Sequence, residues 1–278
     1  MAFTLLLYHS VDDSGSFLSV PVARFHAQMR AVRRSGRRVL TVAQAAQAAR
    51  SGDRLADAAC ITFDDAYRSV ADNAWPILRD LGLGATIYCV SGEMGGRARW
   101  LPRVFPTVFD EAAGEEAALR EVEAVIGIAS IRDPDLAADP VRALRRAASL
   151  PIMDWDTARA LMAEGMDPGG HTISHPFLTR LDASALTGEV ADDRTALADH
   201  LGAVPATFAY PFGDLDAATI AAVRMAGYEC AVTSAAGAIR DPGADPHRWA
   251  RIGIWPRVGG VRMRLYLSRL YALARPAE

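Results

Sequence analysis

Two patterns of hydrophobic residues alternate along the chain. In one, the residues form short continuous runs, and in the other they recur every three to four positions. The continuous runs predict buried strands, and the spaced positions predict amphipathic helices. Strands are predicted at 3–7, 39–42, 60–63, 85–90, about 166–170, 206–210, 228–233 and 248–254. Helices are predicted at 22–35, 43–50, 67–81, 155–163, 184–201 and 217–226.

This alternation of strand and helix is typical of βαβ units, which build a parallel sheet or barrel. The 278 residues are enough for one large domain or two small ones, and an α/β barrel usually needs roughly 250. No internal repeat or low-complexity linker divides the chain. We therefore predict that residues 1–278 form a single domain.

Two regions interrupt the pattern. Residues 95–150 are irregular, and we interpret them as an insertion on the barrel rim, where such segments often shape a substrate cleft; a peripheral packing element is the alternative. Residues 261–274 alternate arginine with leucine and tyrosine and predict a basic C-terminal helix. We expect it to dock on the domain, with weak contact to an anionic membrane surface as the alternative.

Charge and cysteine content limit the environment of the protein. The formal net charge is −3, so no basic field indicates nucleic acid as a partner. Cys60, Cys89 and Cys230 lie in apolar segments without metal-ligand or disulfide spacing, as expected in a reducing compartment. Neither a signal peptide nor a transmembrane segment is visible, so we expect a cytoplasmic location.

Two adjacent carboxylates, Asp64 and Asp65, stand where the third predicted strand ends. Neighbouring acids repel each other and are costly to bury together. The ordinary interpretation is a helix N-cap, since aspartate commonly begins helices. A metal ligand beside a proton-accepting base would also explain the pair.

A second polar stretch runs from Gly169 to Pro176 and contains His171 and His175. Histidines four apart lie on one side of a helical turn, close enough to share a metal. Together with Asp65 they form two imidazoles and one carboxylate, a set that leaves coordination positions open. Zn²⁺ suits this set best, with manganese, cobalt, iron and nickel as alternatives. Asp64 is then the candidate general base for a metal-bound water.

A third stretch, Phe208 to Asp214, ends a strand in an aromatic–proline–aromatic–glycine turn. Aromatic faces suit sugar rings, and a main-chain N–H in the turn could support an oxyanion. An ordinary strand-to-loop corner is the alternative.

The three stretches together resemble the polysaccharide deacetylase family, which shares the NodB homology domain and is also called carbohydrate esterase family 4. The matching motifs are Thr62-Phe63-Asp64-Asp65, His171-Thr172-Ile173-Ser174-His175 and Tyr210-Pro211-Phe212-Gly213. The resemblance covers nearly the whole chain apart from residues 95–150, and it implies a distorted (β/α)7 barrel.

The resemblance also implies roles for individual residues. Asp65, His171 and His175 would hold the metal, and Asp64 would act as general base. Tyr210, Pro211 and Phe212 would line the substrate and oxyanion region, with the main-chain N–H of Phe212 facing the oxyanion. The implied reaction removes an acetyl group from an N-acetylated sugar.

The chain departs from the family pattern at two points. Many members carry an arginine that braces the base at the position of Ala209; Arg251 is the candidate replacement, unless it is a surface arginine at a strand start. Many members also take the acid histidine from a C-terminal Leu-x-His motif, which is missing here. His9, in Leu7-Tyr8-His9-Ser10-Val11, resembles the N-terminal motif of the poly-N-acetylglucosamine deacetylase branch and would open on the same barrel face as Asp64.

The expected substrate is therefore an N-acetylated glycan, or a lipid-linked or nucleotide-linked sugar precursor. A metal-dependent amidase acting on a linear or cyclic amide that is not a sugar is one alternative, which the expected cytoplasmic location favours. A catalytically inactive carbohydrate-binding protein is the other, although a pure binder has little need of both acids.

Overall fold

The computed structural model of the chain describes residues 3–126, 138–268 and 271. Within these residues eight strands form one sheet in which every strand pair is parallel. The strands are β1 Thr4–Tyr8, β2 Arg38–Leu40, β3 Ala58–Phe63, β4 Thr86–Cys89, β5 Asp167–Gly170, β6 Thr207–Ala209, β7 Cys230–Val232 and β8 Ile252–Gly253.

The strand order is β7-β6-β5-β4-β3-β1-β8, and β2 pairs with the first half of β3. The segment before β8 connects the two edges of this sheet. Trp249 exchanges main-chain hydrogen bonds with β7 at 2.9 and 3.0 Å, and three residues later Ile252 pairs with Leu6 of β1. The sheet is therefore curled into a distorted barrel, which confirms the fold class predicted from the sequence.

Helices lie between the strands and along the barrel rim. They are α1 Val22–Arg34, α2 Val42–Arg50, α3 Trp75–Asp80, α4 Trp100–Val104, α5 Pro106–Phe109, α6 Glu115–Ile126, α7 Pro140–Ala148, α8 Trp155–Ala163, α9 Ala183–Thr187, α10 Asp193–Leu201, α11 Ala217–Met225 and α12 Gly260–Tyr266. Two predicted helices contain a π-helical turn, at Val70–Ala74 before α3 and at Gly188–Asp192 between α9 and α10. None of the helices in the described part of the chain is both long and apolar enough to cross a membrane.

The strands divide their side chains between the barrel interior and the surrounding helices. Along β3, Cys60 belongs to the interior cluster with Leu5 and Trp249, whereas Ile61 and Phe63 pack outward against the helices. This period of two is the strand geometry itself, and it decides which residue faces the interior at each strand end. All three cysteines are buried and free.

The irregular region begins and ends at one place on the barrel. Arg97 and Pro151 form an antiparallel bridge, and the Ile152 N–H donates to the Gly96 carbonyl at 2.9 Å. Helices α4 to α7 lie between these points, and residues 127–137 are outside the described part. The single-domain prediction with an insertion at 95–150 is compatible with this closure of the segment.

The predicted C-terminal helix corresponds to α12, although residues 269–270 and 272–278 lie outside the described part. Met263 of α12 is buried in the outer cluster together with Met29 and Val32 of α1. Just before α12, the Gln28 side chain donates to the Val258 carbonyl at 2.7 Å. These contacts dock the described part of the C-terminal segment on the domain.

Candidate active site

The carboxyl ends of the parallel strands bring the predicted polar residues together. Tyr8 pairs with Phe63, and the Asp64 N–H donates to the Tyr8 carbonyl at 3.0 Å. His9 and Asp64 directly follow this pair. Side chains alternate between the two faces along a strand, so both residues are on the face that points into the barrel. Active sites of barrel enzymes lie at this end of the strands.

Asp65, His171 and His175 form a buried cluster of potential metal ligands, the metal cluster of the candidate site. Oδ1 of Asp65 lies 3.6 Å from Nε2 of His171 and 3.5 Å from Nε2 of His175, and the three potential ligand atoms all lie within 4.8 Å of one another. All three residues are at most 4% exposed. Oδ1 of Asp65 has no hydrogen-bond partner among the described residues, an arrangement that is costly unless a cation compensates it.

The two histidines do not lie on a helical turn, and that prediction is wrong. They belong to an irregular loop after β5, in which Thr172 and His175 adopt left-handed backbone conformations with φ of 69° and 57°. A spacing of four residues is compatible with a helix, but it does not require one. Here the Thr172 hydroxyl accepts from the His175 N–H at 2.9 Å, and both imidazoles face Asp65.

The two glycines before this loop are needed because β5 runs through a crowded part of the barrel. A Cβ added at Gly169 would lie 2.4 Å from the Tyr88 ring, and one added at Gly170 would lie 2.1 Å from the Tyr228 hydroxyl. The strand can therefore continue to His171 only with glycine at these two positions.

The tautomer of His171 follows from its contacts. Nδ1 lies 2.7 Å from the Ala209 carbonyl, and because a carbonyl only accepts, Nδ1 carries the proton. Nε2 then presents its lone pair toward Asp65, the usual arrangement of a metal-binding histidine. Burial lowers the pKa of both His171 and His175, which keeps the imidazoles neutral.

Burial and the adjacent Asp64 charge raise the pKa of Asp65. A divalent cation would reverse this tendency, because it stabilises the carboxylate and accepts a nitrogen lone pair from each neutral imidazole. The residues present therefore fit a metal ion bound by one carboxylate and two imidazoles.

Asp64 has a different partner. Arg251 donates to its Oδ1 and Oδ2 at 2.6 and 2.8 Å, and it also donates to the Thr233 carbonyl at 2.9 Å and the Thr62 hydroxyl at 3.2 Å. Arg251 is only 1% exposed, so the alternative of a surface arginine is wrong. The helix after β3 begins beyond Tyr67, and neither carboxylate caps it.

The ion pair sets the charge of Asp64. Burial raises its pKa, but the charge of Arg251, with contributions from His171 and the Arg251 hydrogen bonds, outweighs burial and leaves the pKa below its ordinary value. Asp64 is therefore ionised at neutral pH. Its Oδ2 lies 3.9 Å from Nε2 of His171, at the edge of the metal cluster.

His9 is partly buried beside this pair. Burial is the largest influence and lowers its pKa to about 4, against the opposing effect of Asp64. The imidazole is therefore neutral at pH 7. Its ring stacks on Trp255 with the centroids 6.4 Å apart, and Trp255 is 37% exposed to solvent.

The third motif contributes differently from the prediction. Tyr210 is fully buried in the outer layer and donates from its hydroxyl to the His247 carbonyl at 3.1 Å, so its ring lies away from the metal cluster. Pro211 is buried in the turn that follows. Phe212 has a left-handed φ of 59°, and its ring contacts His175 at a centroid distance of 4.6 Å.

One residue at the site was missed by the sequence analysis. Trp100 of α4 stacks on His175, with the ring centroids 4.1 Å apart and the planes inclined by 27°. Its indole N–H is buried and has no partner among the described residues. A tryptophan in an irregular segment gives no local signal for such a contact, although the rim-insertion interpretation placed its segment near a cleft.

A buried glutamate holds α4 in this position. Glu93 is 1% exposed and forms ion pairs with Arg99 and Arg103. Arg103 also donates to the Ser174 carbonyl at 3.0 Å, in the loop that carries His175. The start of the rim segment is thereby attached to the loop of the metal cluster.

Comparison with known proteins identifies the family. The polysaccharide deacetylase family matches residues 51–231, about two thirds of the chain. The chain belongs to the polysaccharide deacetylase family. Its membership supports glycan deacetylation as the class of reaction, as the resemblance of the three motifs implied.

Individual relatives of this deacetylase are distant in sequence. YxkH of Bacillus subtilis (strain 168), which is named as a polysaccharide deacetylase, is 23% identical over 269 residues, covering 96% of this chain and 76% of YxkH. The Streptococcus pyogenes deacetylase PplD, solved with acetate, is 18% identical with a TM-score of 0.70, covering 96% of this chain and 99% of PplD. IcaB from Ammonifex degensii is 19% identical with a TM-score of 0.71, covering 96% and 97%. The two structures show the same fold.

The family match does not extend over every candidate residue of the deacetylase. The matched range contains Asp64, Asp65 and both histidines of the cluster, but His9 precedes it and Arg251 follows it. The candidate acid His9 and the arginine that pairs with Asp64 therefore lie outside the matched segment.

Proposed function

We propose that the protein is a metal-dependent hydrolase that removes the acetyl group from an N-acetylated amino sugar of a glycan or glycan precursor. One observation supports this most strongly: two neutral imidazoles and a carboxylate whose Oδ1 has no hydrogen-bond partner among the described residues form a buried cluster beside a second carboxylate that is paired with an arginine. The two acids therefore have separate surroundings and separate tasks.

A divalent cation, with Zn²⁺ the best match, would be held by Oδ1 of Asp65 and Nε2 of His171 and His175. When bound, such an ion polarises a carbonyl oxygen and lowers the pKa of a bound water toward ~7. The Ala209 carbonyl orients His171 for this task through the Nδ1 proton.

Asp64 acts as the proton acceptor. It is ionised at neutral pH, and Arg251 holds both of its oxygens in place. A water attacking the acetyl carbonyl transfers its proton to Asp64. Since Arg251 uses one donor for each carboxylate oxygen, Asp64 keeps free lone pairs for this proton.

His9 delivers a proton to the leaving amine nitrogen. It is neutral in the free protein because burial lowers its pKa to about 4. It must therefore gain a proton during turnover, and the proton accepted by Asp64 is the available source. The products are acetate and a free amino sugar, and the main-chain N–H of Phe212 is the proposed donor to the oxyanion formed before the C–N bond breaks.

The test combines metal analysis with acetate release. The purified protein is stripped with a chelator, reloaded with Zn²⁺, Mn²⁺, Co²⁺, Fe²⁺ or Ni²⁺, and incubated with short N-acetylglucosamine oligomers. We expect about one bound metal per chain, acetate release only after reloading, and no turnover of simple linear or cyclic amides. Bound metal with amide hydrolysis but no acetate would contradict the sugar substrate, and binding of oligomers without metal or turnover would contradict an enzyme.

A further inference from the structure

A cleft of about 300 Å³ opens directly beside the proposed metal ligand His175. One wall is the loop Ser174–Phe177, and Arg103 of α4 and Arg180 of the short helical turn Leu178–Arg180 contribute the others. This volume is at the lower end of the range for small-molecule sites, ~300–1,000 Å³. Because His175 forms part of its wall, a group bound there would adjoin the acetylated sugar.

The side chains that line the cleft are cationic and aromatic or apolar. Arg103 and Arg180 line it, whereas no aspartate or glutamate does among the described residues. Glu93 is shared between Arg103 and Arg99, so one carboxylate faces two guanidinium groups. Arg180 forms no ion pair with any carboxylate in the described part of the chain.

Two acids lie near the cleft, but their oxygens are used elsewhere. Glu189 accepts from the Ser174 N–H and hydroxyl at 2.9 and 2.6 Å. Asp214 accepts from the N–H and hydroxyl of Thr179 at 2.9 Å. Neither carboxylate pairs with Arg103 or Arg180.

Both guanidinium groups are held in place while keeping free donors. Arg103 uses its Nη2 for Glu93 and for the Ser174 carbonyl at 3.0 Å. The guanidinium carbon of Arg180 lies 4.1 Å from the ring centroid of Phe177, which stacks on Phe212 at 4.1 Å. An arginine has five N–H donors, so most of them remain for a ligand, and less side-chain freedom is lost on binding.

We propose that this cleft is an anion subsite that binds a carboxylate or phosphate on the glycan whose acetyl group is removed. The inference rests on the proposed function and adds the charge of the substrate. Guanidinium groups match carboxylate and phosphate oxygens in both geometry and charge. A neutral oligomer would leave Arg180 without an anionic partner beside the proposed metal ligand His175.

The kinetic test compares three substrates of equal length. One is a neutral N-acetylglucosamine trimer, the second has a neighbouring uronic acid, and the third has a neighbouring sugar phosphate. We expect kcat/KM for at least one anionic substrate to exceed that of the neutral trimer by about tenfold or more. The carboxylate and phosphate arms distinguish the two sources of the charge, and the preference should fall as NaCl is added.

Substitution of Arg180 assigns the preference to the cleft. Arg180→Gln should reduce it to less than about threefold without changing kcat/KM for the neutral trimer, and Arg180→Lys should keep part of it. Arg120→Gln is the matched control, because Arg120 pairs with Glu116 on the exposed face of α6. Equal loss on all three substrates, or no preference in the unmodified protein, would overturn the subsite.

A binding measurement separates this proposal from the proposed function. Calorimetry compares the affinity of the metal-loaded protein for a uronic-acid trisaccharide without acetyl groups and for a neutral one. Arg180-dependent preference for the anionic ligand without acetate release from any substrate would keep the subsite and contradict the deacetylase. Acetate release without a charge preference in binding or kinetics would contradict the subsite alone.

Discussion

The two sides of the site are built in different ways. The proposed metal side consists of Asp65, His171 and His175, which stand on two short motifs inside the family-matched range 51–231. The proposed proton-transfer side joins Asp64 to His9 and Arg251, from opposite ends of the chain. His9 and Arg251 come close to each other because β8 pairs with β1, where the two edges of the sheet are connected.

The ligand residues stand on short sequence motifs, whereas the arrangement around Asp64 depends on closure of the barrel. A metal ligand set needs a few donor atoms at short range, and two motifs supply it. A base and an acid need a matched electrostatic environment, and here a buried arginine directly before β8 provides part of it. Changes on the metal side should therefore affect metal content, whereas changes on the other side should affect rate and its pH dependence.

The largest effect is expected on the metal side. Asp65→Ala or His171→Ala removes one of three ligands, so the chain should lose its metal. Acetate release should fall by about 10³-fold or more, because a bound ion contributes several kcal/mol to transition-state stabilisation. Metal analysis after gel filtration and acetate assays measure both. Full metal content in either variant would assign the ion to another site.

Arg251→Gln should destabilise the fold as well as the reaction. Removing one partner of a buried ion pair costs about 3–5 kcal/mol, seen as a lower midpoint in denaturant unfolding while metal binding is retained. The double variant with Asp64→Asn should recover part of that loss, because no uncompensated charge remains. Equal stability of Arg251→Gln and the unmodified protein would show that the pair contributes nothing.

The same pair predicts a dependence on pH. The pKa of Asp64 is lower in the folded protein than its ordinary value, so the pair stabilises the fold above that ordinary value, and this stability is lost as pH falls through the folded pKa. Unfolding measured from pH 6 downward should show the loss in the unmodified protein and lack it in Asp64→Asn. An identical acid limb in both would contradict the assigned direction.

His9 should affect only the step in which the leaving group is protonated. His9→Ala should lower the hydrolysis of N-acetyl sugars by about 10²-fold, while metal content and the hydrolysis of an acetyl ester with an activated phenol leaving group stay close to normal. An activated phenolate can leave without being protonated, whereas an amine must gain a proton before the C–N bond breaks. Equal losses on both substrates would remove His9 from the acid role.

The smallest effect concerns Trp100. Trp100→Leu removes the stack on His175, and aromatic pairs contribute about 0.5–1.5 kcal/mol, so metal affinity should weaken by roughly two- to tenfold. Trp155→Leu is the matched control, since Trp155 stacks at 4.3 Å on His200, outside the metal cluster. Equal affinities of both variants would show that the stack does not support the ligand.

The sequence predicted residues on short motifs better than residues that reach the site by packing across the barrel. The strand pattern and the residues of the metal cluster were predictable because each strand and each motif lies in a short segment with a characteristic pattern of residues. The helical turn at His171–His175 was wrong because spacing alone does not distinguish a helix from a loop with left-handed residues. Trp100 was missed, and Arg251 stayed ambiguous, since only packing across the barrel brings them to the site.

The clearest test of separate tasks for the two acids is a comparison of Asp64→Asn with the unmodified protein. The change keeps the shape of the side chain but removes the proton acceptor. We predict unchanged metal content and acetate release lowered by about 10²- to 10⁴-fold. Turnover at the unmodified rate with metal bound would contradict the assignment of Asp64 as the base.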